Sequence, residues 1–310
     1  MKKIALVAAL AAISAAPAFA QSSVTLWGRI NTTVESQKTG SQDRIVRVQN
    51  NSSRLGFKGT EDLGGGLKAS FSLEHGVNSD SGTASGGNTF WNRASWVQLE
   101  GAFGGVRLGK WFPGSYFATA DYVSMHNHDT GTSADALYGT QFTTNNKVSY
   151  FTPTVSGFNA EVGVAAGEGT APRAWDLAVN YDMGPLHAGF GYEKVGIYKQ
   201  FAVRGLYELG AFTFGGYYQR EEVSGFKSRD VGRLAAMYAV GQSEFHLNVG
   251  GSKSGGNGAF RLGGAKQYTL GYNYNLSKRT KVYGFYTKTD YNAPGQLDFN
   301  SLAVGVRHNF

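Results

Sequence analysis

No cysteine occurs anywhere in the 310 residues, which excludes a disulfide framework, thiol chemistry and any Cys-ligated metal. Long apolar runs are missing as well. Beyond the amino-terminal segment no stretch reaches the roughly 18 apolar residues that a membrane-spanning helix needs, and the mean hydropathy of -0.28 is that of a water-soluble chain. A helical membrane protein is thereby excluded, but a β-barrel is not, because only alternate residues of its strands meet lipid. Blocks of like charge are absent too. Lys and Arg are scattered singly, so the formal charge of +7 does not form the basic patch of a nucleic-acid binder, and no nucleic-acid partner is expected. The sequence also lacks a Ser/His/Asp arrangement, a phosphate-binding glycine loop and a calcium-loop pattern, so no cofactor, metal or catalytic residue is implied.

What is abundant is glycine, 44 residues, together with 14% aromatics and only 6 Pro. Collagen-like and disordered chains have the glycine without the aromatics, so the combination points to tight turns joining aromatic-rich strands. At the amino end Lys2 and Lys3 precede an apolar run over residues 4–16, followed by Ala18-Phe19-Ala20. That is the layout of a secretory signal peptide, with cleavage expected before Gln21. Residues 1–20 are then removed and residues 21–310 form one domain, with a formal charge of +7 − 2 = +5.

Strand and turn signals alternate from end to end. Short turns are expected at 62–66, 101–105, 152–157, 182–185, 208–211, 240–243 and 275–279, and longer polar connections near 36–51, 76–90, 110–146, 167–174, 194–199, 222–230, 251–265 and 288–298. Seven hairpins and two end strands make sixteen strands. Period-two alternation gives each strand two unlike faces. In the first, Val24, Leu26, Gly28 and Ile30 alternate with Thr25, Trp27, Arg29 and Asn31; in the last, Leu302, Val304, Val306, His308 and Phe310 alternate with Ser301, Ala303, Gly305, Arg307 and Asn309. A soluble sandwich has such strands as well. Secretion, the turn rhythm and the strand number favour instead an all-β, transmembrane antiparallel β-barrel in the outer membrane, wide enough for a water-filled lumen. Tyr181, Tyr192, Tyr207, Tyr217, Tyr272 and Tyr286 stand near strand ends, where interfacial girdles need them.

One connection, about 37 residues from Lys110 to Asn146, exceeds all others. Its aromatic residues, Trp111, Phe112, Tyr116, Phe117, Tyr122, Tyr138 and Phe142, give it apolar surface to bury, and a barrel offers an inner wall on which to bury it. Between its end lysines it carries Asp121, Asp129 and Asp135 and no base. The bases sit on strands: Arg54 and Lys58 alternate with Leu55 and Phe57, and Arg29 lies on the polar face of the first strand. Opposed acids and bases across a narrow aqueous gap create a transverse field that sets ion preference.

Several segments carry a resemblance: Ser23-Val24-Thr25-Leu26-Trp27-Gly28-Arg29, Ser53-Arg54-Leu55-Gly56-Phe57-Lys58-Gly59-Thr60-Glu61-Asp62-Leu63-Gly64, Asn92-Arg93, Phe103-Gly104-Gly105-Val106-Arg107-Leu108-Gly109-Lys110, Asn146-Lys147-Val148-Ser149-Tyr150 with Pro153, and the terminal Phe310. In this order they resemble the general diffusion porins of Gram-negative bacteria, in the branch typical of beta-proteobacteria. The resemblance implies a barrel of sixteen strands, a long third loop folded into the lumen, a homotrimer in outer-membrane lipid and lipopolysaccharide, and Phe310 read by the outer-membrane assembly machinery. It also implies a basic constriction side of Arg29, Arg54 and Arg93, with Lys58 nearby. Alternation alone puts Arg93 with Ser95, Val97 and Leu99, so its inward assignment rests on the resemblance. The arginine that often follows the long loop falls at Thr143 here, and Lys147 is the expected substitute.

The expected function is a passive, water-filled channel for small hydrophilic solutes and ions with a mild preference for anions. A sugar-selective channel would need a file of aromatics, and Trp27, Trp91, Trp96 and Trp111 are better placed in girdles or as anchors of the long loop. A barrel hydrolase would need more than His126-Asn127-His128-Asp129, which lacks a visible third group. A secreted lectin-like β-protein would not need detergent for extraction.

Overall fold

The alternating segments form strands throughout a computed structural model of the chain, which describes residues 23–126, 133–140, 145–253, 264–292 and 295–310. The expected signal peptide lies outside the described residues. The first strands are β1 (Ser23–Thr39), β2 (Ile45–Asn50), β3 (Ser53–Gly64), β4 (Leu67–Asn78), the two-residue β5 (Thr83–Ala84), β6 (Ala94–Gly101) and β7 (Gly104–Lys110). After the long connection come β8 (Lys147–Phe151), β9 (Phe158–Ala165), β10 (Ala174–Met183), β11 (Leu186–Val195), β12 (Tyr198–Leu209) and β13 (Phe212–Val223). The remainder are β14 (Arg229–Val240), β15 (Ser243–Ser252), β16 (Ala265–Asn275), β17 (Thr280–Tyr291) and β18 (Phe299–Asn309).

Each strand pairs antiparallel with its sequence neighbour, and β18 returns to pair with β1 from Arg29↔Asn309 to Thr39↔Phe299. Both β2 and β3 pair with β1, at Gln37↔Ile45 to Thr32↔Asn50 and then at Arg29↔Arg54 to Ser23↔Thr60, so they are one strand broken at Asn51–Ser52. With that strand counted once and β5 set aside, the closed wall has sixteen strands. Closure leaves no unpaired edge in the bilayer, where an unsatisfied peptide group is costly. Phe310 completes the seam: Gly28 and Phe310 exchange backbone hydrogen bonds of 3.0 and 3.1 Å, and the Phe310 ring covers Gly28, where a Cβ would come within 2.5 Å of it.

The faces are inside out relative to a soluble sandwich. On β18 Leu302, Val304 and Val306 are 58%, 63% and 52% exposed, while Ser301 and Ala303 are buried. The same parity runs round the ring, with Glu35, Gln200, Gln219, Arg229 and Asn273 inside and Leu26, Val97, Val162, Leu234 and Leu270 outside. An apolar exterior around a polar interior is the arrangement that lipid selects. His308, on the outer row, is accommodated near the strand end by a 2.8 Å hydrogen bond with Thr280 Oγ1.

All seven expected short turns are present, but the connection expected at 36–51 shrinks to residues 40–44, because β1 continues to Thr39 and β2 starts at Ile45. The polar residues there, Gln37 and Ser36 among them, are strand rather than loop, since one strand face is itself polar. Tyr217 is also not a girdle residue. It sits on the inner face, and its hydroxyl donates to Ala134 O at 2.8 Å.

The long connection enters through Trp111 and a helical turn (Gly114–Tyr116) that continues into a π turn (Phe117–Asp121). Its described residues, 111–126 and 133–140, contact inner-face residues from β9 to β17. Trp111 Nε1 donates to Glu161 Oε1 at 3.0 Å, the amides of Gly114 and Ser115 donate to Asp176 at 2.6 and 3.0 Å, and Arg229 Nη2 donates to Leu137 O at 3.0 Å. Gly191 makes the close approach possible: a Cβ there would lie 2.6 Å from Ser115 O. Ala120, Val123, Ala134 and Leu137 then bury against Ala202, Tyr217 and Val231 of the wall.

Candidate functional site

Opposite the helical turn, the inner faces of β1, β3, β4 and β18 leave a cavity of about 750 Å³. Its wall side presents Arg29, Arg54, Lys58, Arg93 and Arg307, with Glu74 among them; its connection side presents Tyr116, Asp121 and Asp135. Four of the five expected bases and two of the three expected acids therefore meet across one space. Asp129 lies outside the described residues, as do His128 and Thr143.

Strand register brings the bases together. Arg29 and Arg54 are directly paired across β1 and β3, which puts them on one face. At the break between β2 and β3, Ser52 takes φ +58°, in the left-handed region that Ser seldom occupies. The break turns its carbonyl toward both guanidiniums: Arg29 Nη2 donates to it at 3.2 Å and Arg54 Nε at 3.3 Å. Arg93 enters by a different route. It precedes β6 in a bend, so strand alternation does not govern it, and Arg93 Nε reaches Glu74 Oε1 at 2.6 Å. Its guanidinium also stands 5.1 Å from the centre of the Phe112 ring on the connection.

Glu74 accepts from Arg54 Nη1 as well, at 3.3 Å, and so holds two of the bases in register while offsetting one charge. On the far side Tyr116 holds the acids, its hydroxyl 2.5 Å from Asp135 Oδ2 and 3.4 Å from Asp121 Oδ1. Replacing Glu74 by Gln removes the acid nearest the bases and should raise the chloride-to-potassium permeability ratio about threefold at low salt. Zero-current potentials in a KCl gradient measure this, and a shift toward cations would refute the placement.

The chain matches the family model described as Gram-negative porin over residues 5–294. The chain belongs to the Gram-negative porin family. It is 35% identical to outer membrane porin protein 32 of Delftia acidovorans, across 92% of this chain and 88% of that one. It is 27% identical to an outer membrane porin protein of Bordetella pertussis, across 100% of this chain and 100% of that one. Among solved structures it superposes on an anion-selective porin from Comamonas acidovorans with a TM-score of 0.81 and 29% identity, covering 94% of this chain and 100% of that one. These relatives are channels rather than enzymes, and this porin is an outer-membrane β-barrel that forms a general diffusion channel.

Lys147 does not join the other bases of the porin. It is buried beneath the entrance to the long connection, with Nζ 2.6 Å from Asp176 Oδ2 and 2.9 Å from Glu161 Oε1. Register explains the difference: Lys147 pairs with Gly109 and Ala165, several strands round the wall from β1 and β3. Arg307, which does line the cavity, stands on the polar row of the last strand, but no motif singles it out. Ser52 and Glu74 give no signal beyond the Asn50-Asn51 turn pair and a polar strand position. Trp27 and Trp96 face inward under Lys58 and Arg107 rather than forming girdles, whereas Trp111 is an anchor and Trp91 packs edge-on against outward-facing Phe57.

His126 belongs to the connection, not to a spanning strand, and its ring centre is 4.9 Å from that of His246 on β15, beside Phe285 and Tyr283 of β17. Burial pushes its pKa well below the ordinary histidine value, and the nearby His246 and Lys281 act in the same direction against Glu244. The packed form thus holds His126 neutral. Below pH about 6.5 the released form binds a proton that the packed form refuses, so acidification favours release. Open-channel current noise should therefore rise as the pH falls from about 7.5 to about 5 in the wild type and stay flat in His126→Phe. Equal pH dependence in both would assign the noise elsewhere.

Proposed function

We propose that the long connection, through its described residues 111–126 and 133–140, narrows the lumen as a constriction and that the channel passes small hydrophilic solutes and ions passively, with a mild preference for anions and without catalysis. The observation that carries this reading is the cavity in which Arg29, Arg54, Lys58, Arg93 and Arg307 oppose Asp121 and Asp135, an excess of bases over acids even with Glu74 included. A transverse field of that kind orders dipolar solutes, and its surplus positive charge concentrates anions. The anion-selective porin that the chain resembles supports the same sign. The proposal includes cleavage of residues 1–20, assembly through Phe310, and a homotrimer in lipid and lipopolysaccharide.

Planar-bilayer recording tests it. Regular conductance steps with a zero-current potential on the chloride side are expected in a KCl gradient, and a potential on the potassium side overturns the anion preference. Deleting residues 117–136 should raise single-channel conductance about twofold if the connection narrows the lumen. Unchanged conductance would place it outside the conduction path.

A further inference from the structure

The lipid-facing side of the wall turns basic just above its apolar band, at the rim that carries the longer connections. Lys194 on β11 stands directly across from Lys199 on β12, and Lys199 directly across from Glu222 on β13, two residues beyond Arg220. Parity puts all four outside, because Glu193, Gln200, Gln219 and Glu221 beside them are buried on the inner face. Lys199 Nζ reaches Glu222 Oε2 at 2.9 Å, Arg220 Nε reaches Glu222 Oε1 at 3.3 Å, and Arg220 Nη1 lies 3.5 Å from Asp230 Oδ1. Lys194 makes no ion pair among the described residues. Two ammonium groups therefore face each other on adjoining strands, with one carboxylate, already shared with Arg220, to offset them. Like charges directly opposite on a sheet are destabilising, and an anion between them reverses the sign. A cavity of about 620 Å³ opens there, between the turns at 196–197 and 224–228, which are tied by Ser224 N donating to Ile197 O at 2.9 Å.

We infer that this cavity clamps a phosphate group of a lipopolysaccharide in the outer leaflet, with Lys194 and Lys199 as the gripping pair. The inference rests on the proposed lipopolysaccharide environment and gives it a place on the wall. The height is right for a headgroup. Longer connections face the cell exterior in outer-membrane barrels, so this rim meets the outer leaflet. Trp175 lies directly across from Lys194, and Tyr192, Phe201 and Tyr218 follow on the same outer rows toward the midplane, as an aromatic belt does beneath headgroups. Val203 and Leu234 continue those rows as exposed apolar wall. At Gly205 the wall is recessed, since a Cβ there would meet nothing within 4 Å. An anion held by the two lysines thus stands directly over an apolar surface, which a phosphate carrying acyl chains covers and a free phosphate does not. Arg220 is engaged by two carboxylates, so it frames the cavity. The lysines are compact charges with rotatable donors, which suits a phosphate monoester.

The experiment titrates porin refolded in detergent, and so free of lipopolysaccharide, with bisphosphorylated lipid A in mixed micelles, the bound fraction being read by native mass spectrometry. Lys194→Gln with Lys199→Gln should raise the half-saturating concentration about tenfold or more. Lys266→Gln, which removes an outward base at the same end of β16, should leave it unchanged. Glu222→Gln removes the opposing acid and should lower it. Lipid A stripped of its phosphates should bind the wild type as weakly as intact lipid A binds the double variant, and this comparison decides the matter even if the double variant does not refold. Equal binding of the intact and stripped lipids, or an equal loss in Lys266→Gln, overturns the clamp and leaves the lipopolysaccharide environment standing. Inorganic phosphate that displaces lipid A at equal concentration makes the cavity a free-anion site and overturns the lipid reading. A wild type that binds no lipid A overturns the proposed environment as well, while regular conductance steps in a phospholipid bilayer keep the channel reading apart from either failure.

Discussion

Replacing Arg29 and Arg54 together by alanine will move the zero-current potential of the channel in a KCl gradient toward cations. The two guanidiniums are register partners on adjoining strands and share the carbonyl of Ser52, so they act on one cross-section of the lumen. A unit charge about 6 Å from a passing ion in water contributes about 0.7 kcal/mol. Losing two removes about 1.4 kcal/mol, or about tenfold in the relative concentration of chloride at that point. The effect shrinks with salt, because the screening length is about 10 Å at 0.1 M. Arg44→Ala is the matched control, since that base is exposed in the β1–β2 turn and bonds Ser36 there. A potential that moves equally in the control, or not at all in the double variant, would separate selectivity from the paired arginines.

Most of the barrel is legible in the chain because period-two alternation survives in every wall strand, and because an inner face of polar residues needs no tertiary partner to declare itself. Arg54 and Lys58 can be read on that ground alone: Leu55 and Phe57 between them fix their face. Where a residue leaves the strand lattice, the rule stops. Arg93 shares a parity with Val97 and Leu99, and only the bend before β6 turns it inward beside Glu74. Sequence spacing also cannot say on which side of a ring an inward residue stands. Lys147 has the right face and the wrong place, farther round the wall under Trp111. Tyr217 fails for a related reason, because an inward tyrosine and a girdle tyrosine read alike until the connection that covers one of them is placed.

That misplaced lysine makes the second large prediction. Lys147→Met will strongly destabilise the folded barrel and loosen the entrance of the long connection at once. Lys147 neutralises two buried carboxylates that also accept hydrogen bonds from other groups. Asp176 receives the amides of Gly114 and Ser115, and Glu161 receives Trp111 Nε1 and Ser149 Oγ. Without the ammonium, two like charges remain buried side by side, and breaking a buried pair in this way costs about 3–5 kcal/mol. The cheapest relief is for water to enter, which means detaching the residues bonded to those carboxylates. Gel mobility of unheated against heated samples should show a lower unfolding temperature, and single channels should fluctuate to a larger conductance level. A wall-only role for Lys147 predicts the first without the second. Adding Asp176→Asn to Lys147→Met removes one of the stranded charges and keeps an oxygen acceptor for an amide, so the double variant should be more stable than Lys147→Met alone. That sign is the reverse of additivity and belongs only to residues in one charge cluster. A double variant less stable than either single one would mean that Lys147 and Asp176 stabilise the barrel independently, and the connection would then be held by its apolar contacts with Ala202, Tyr217 and Val231.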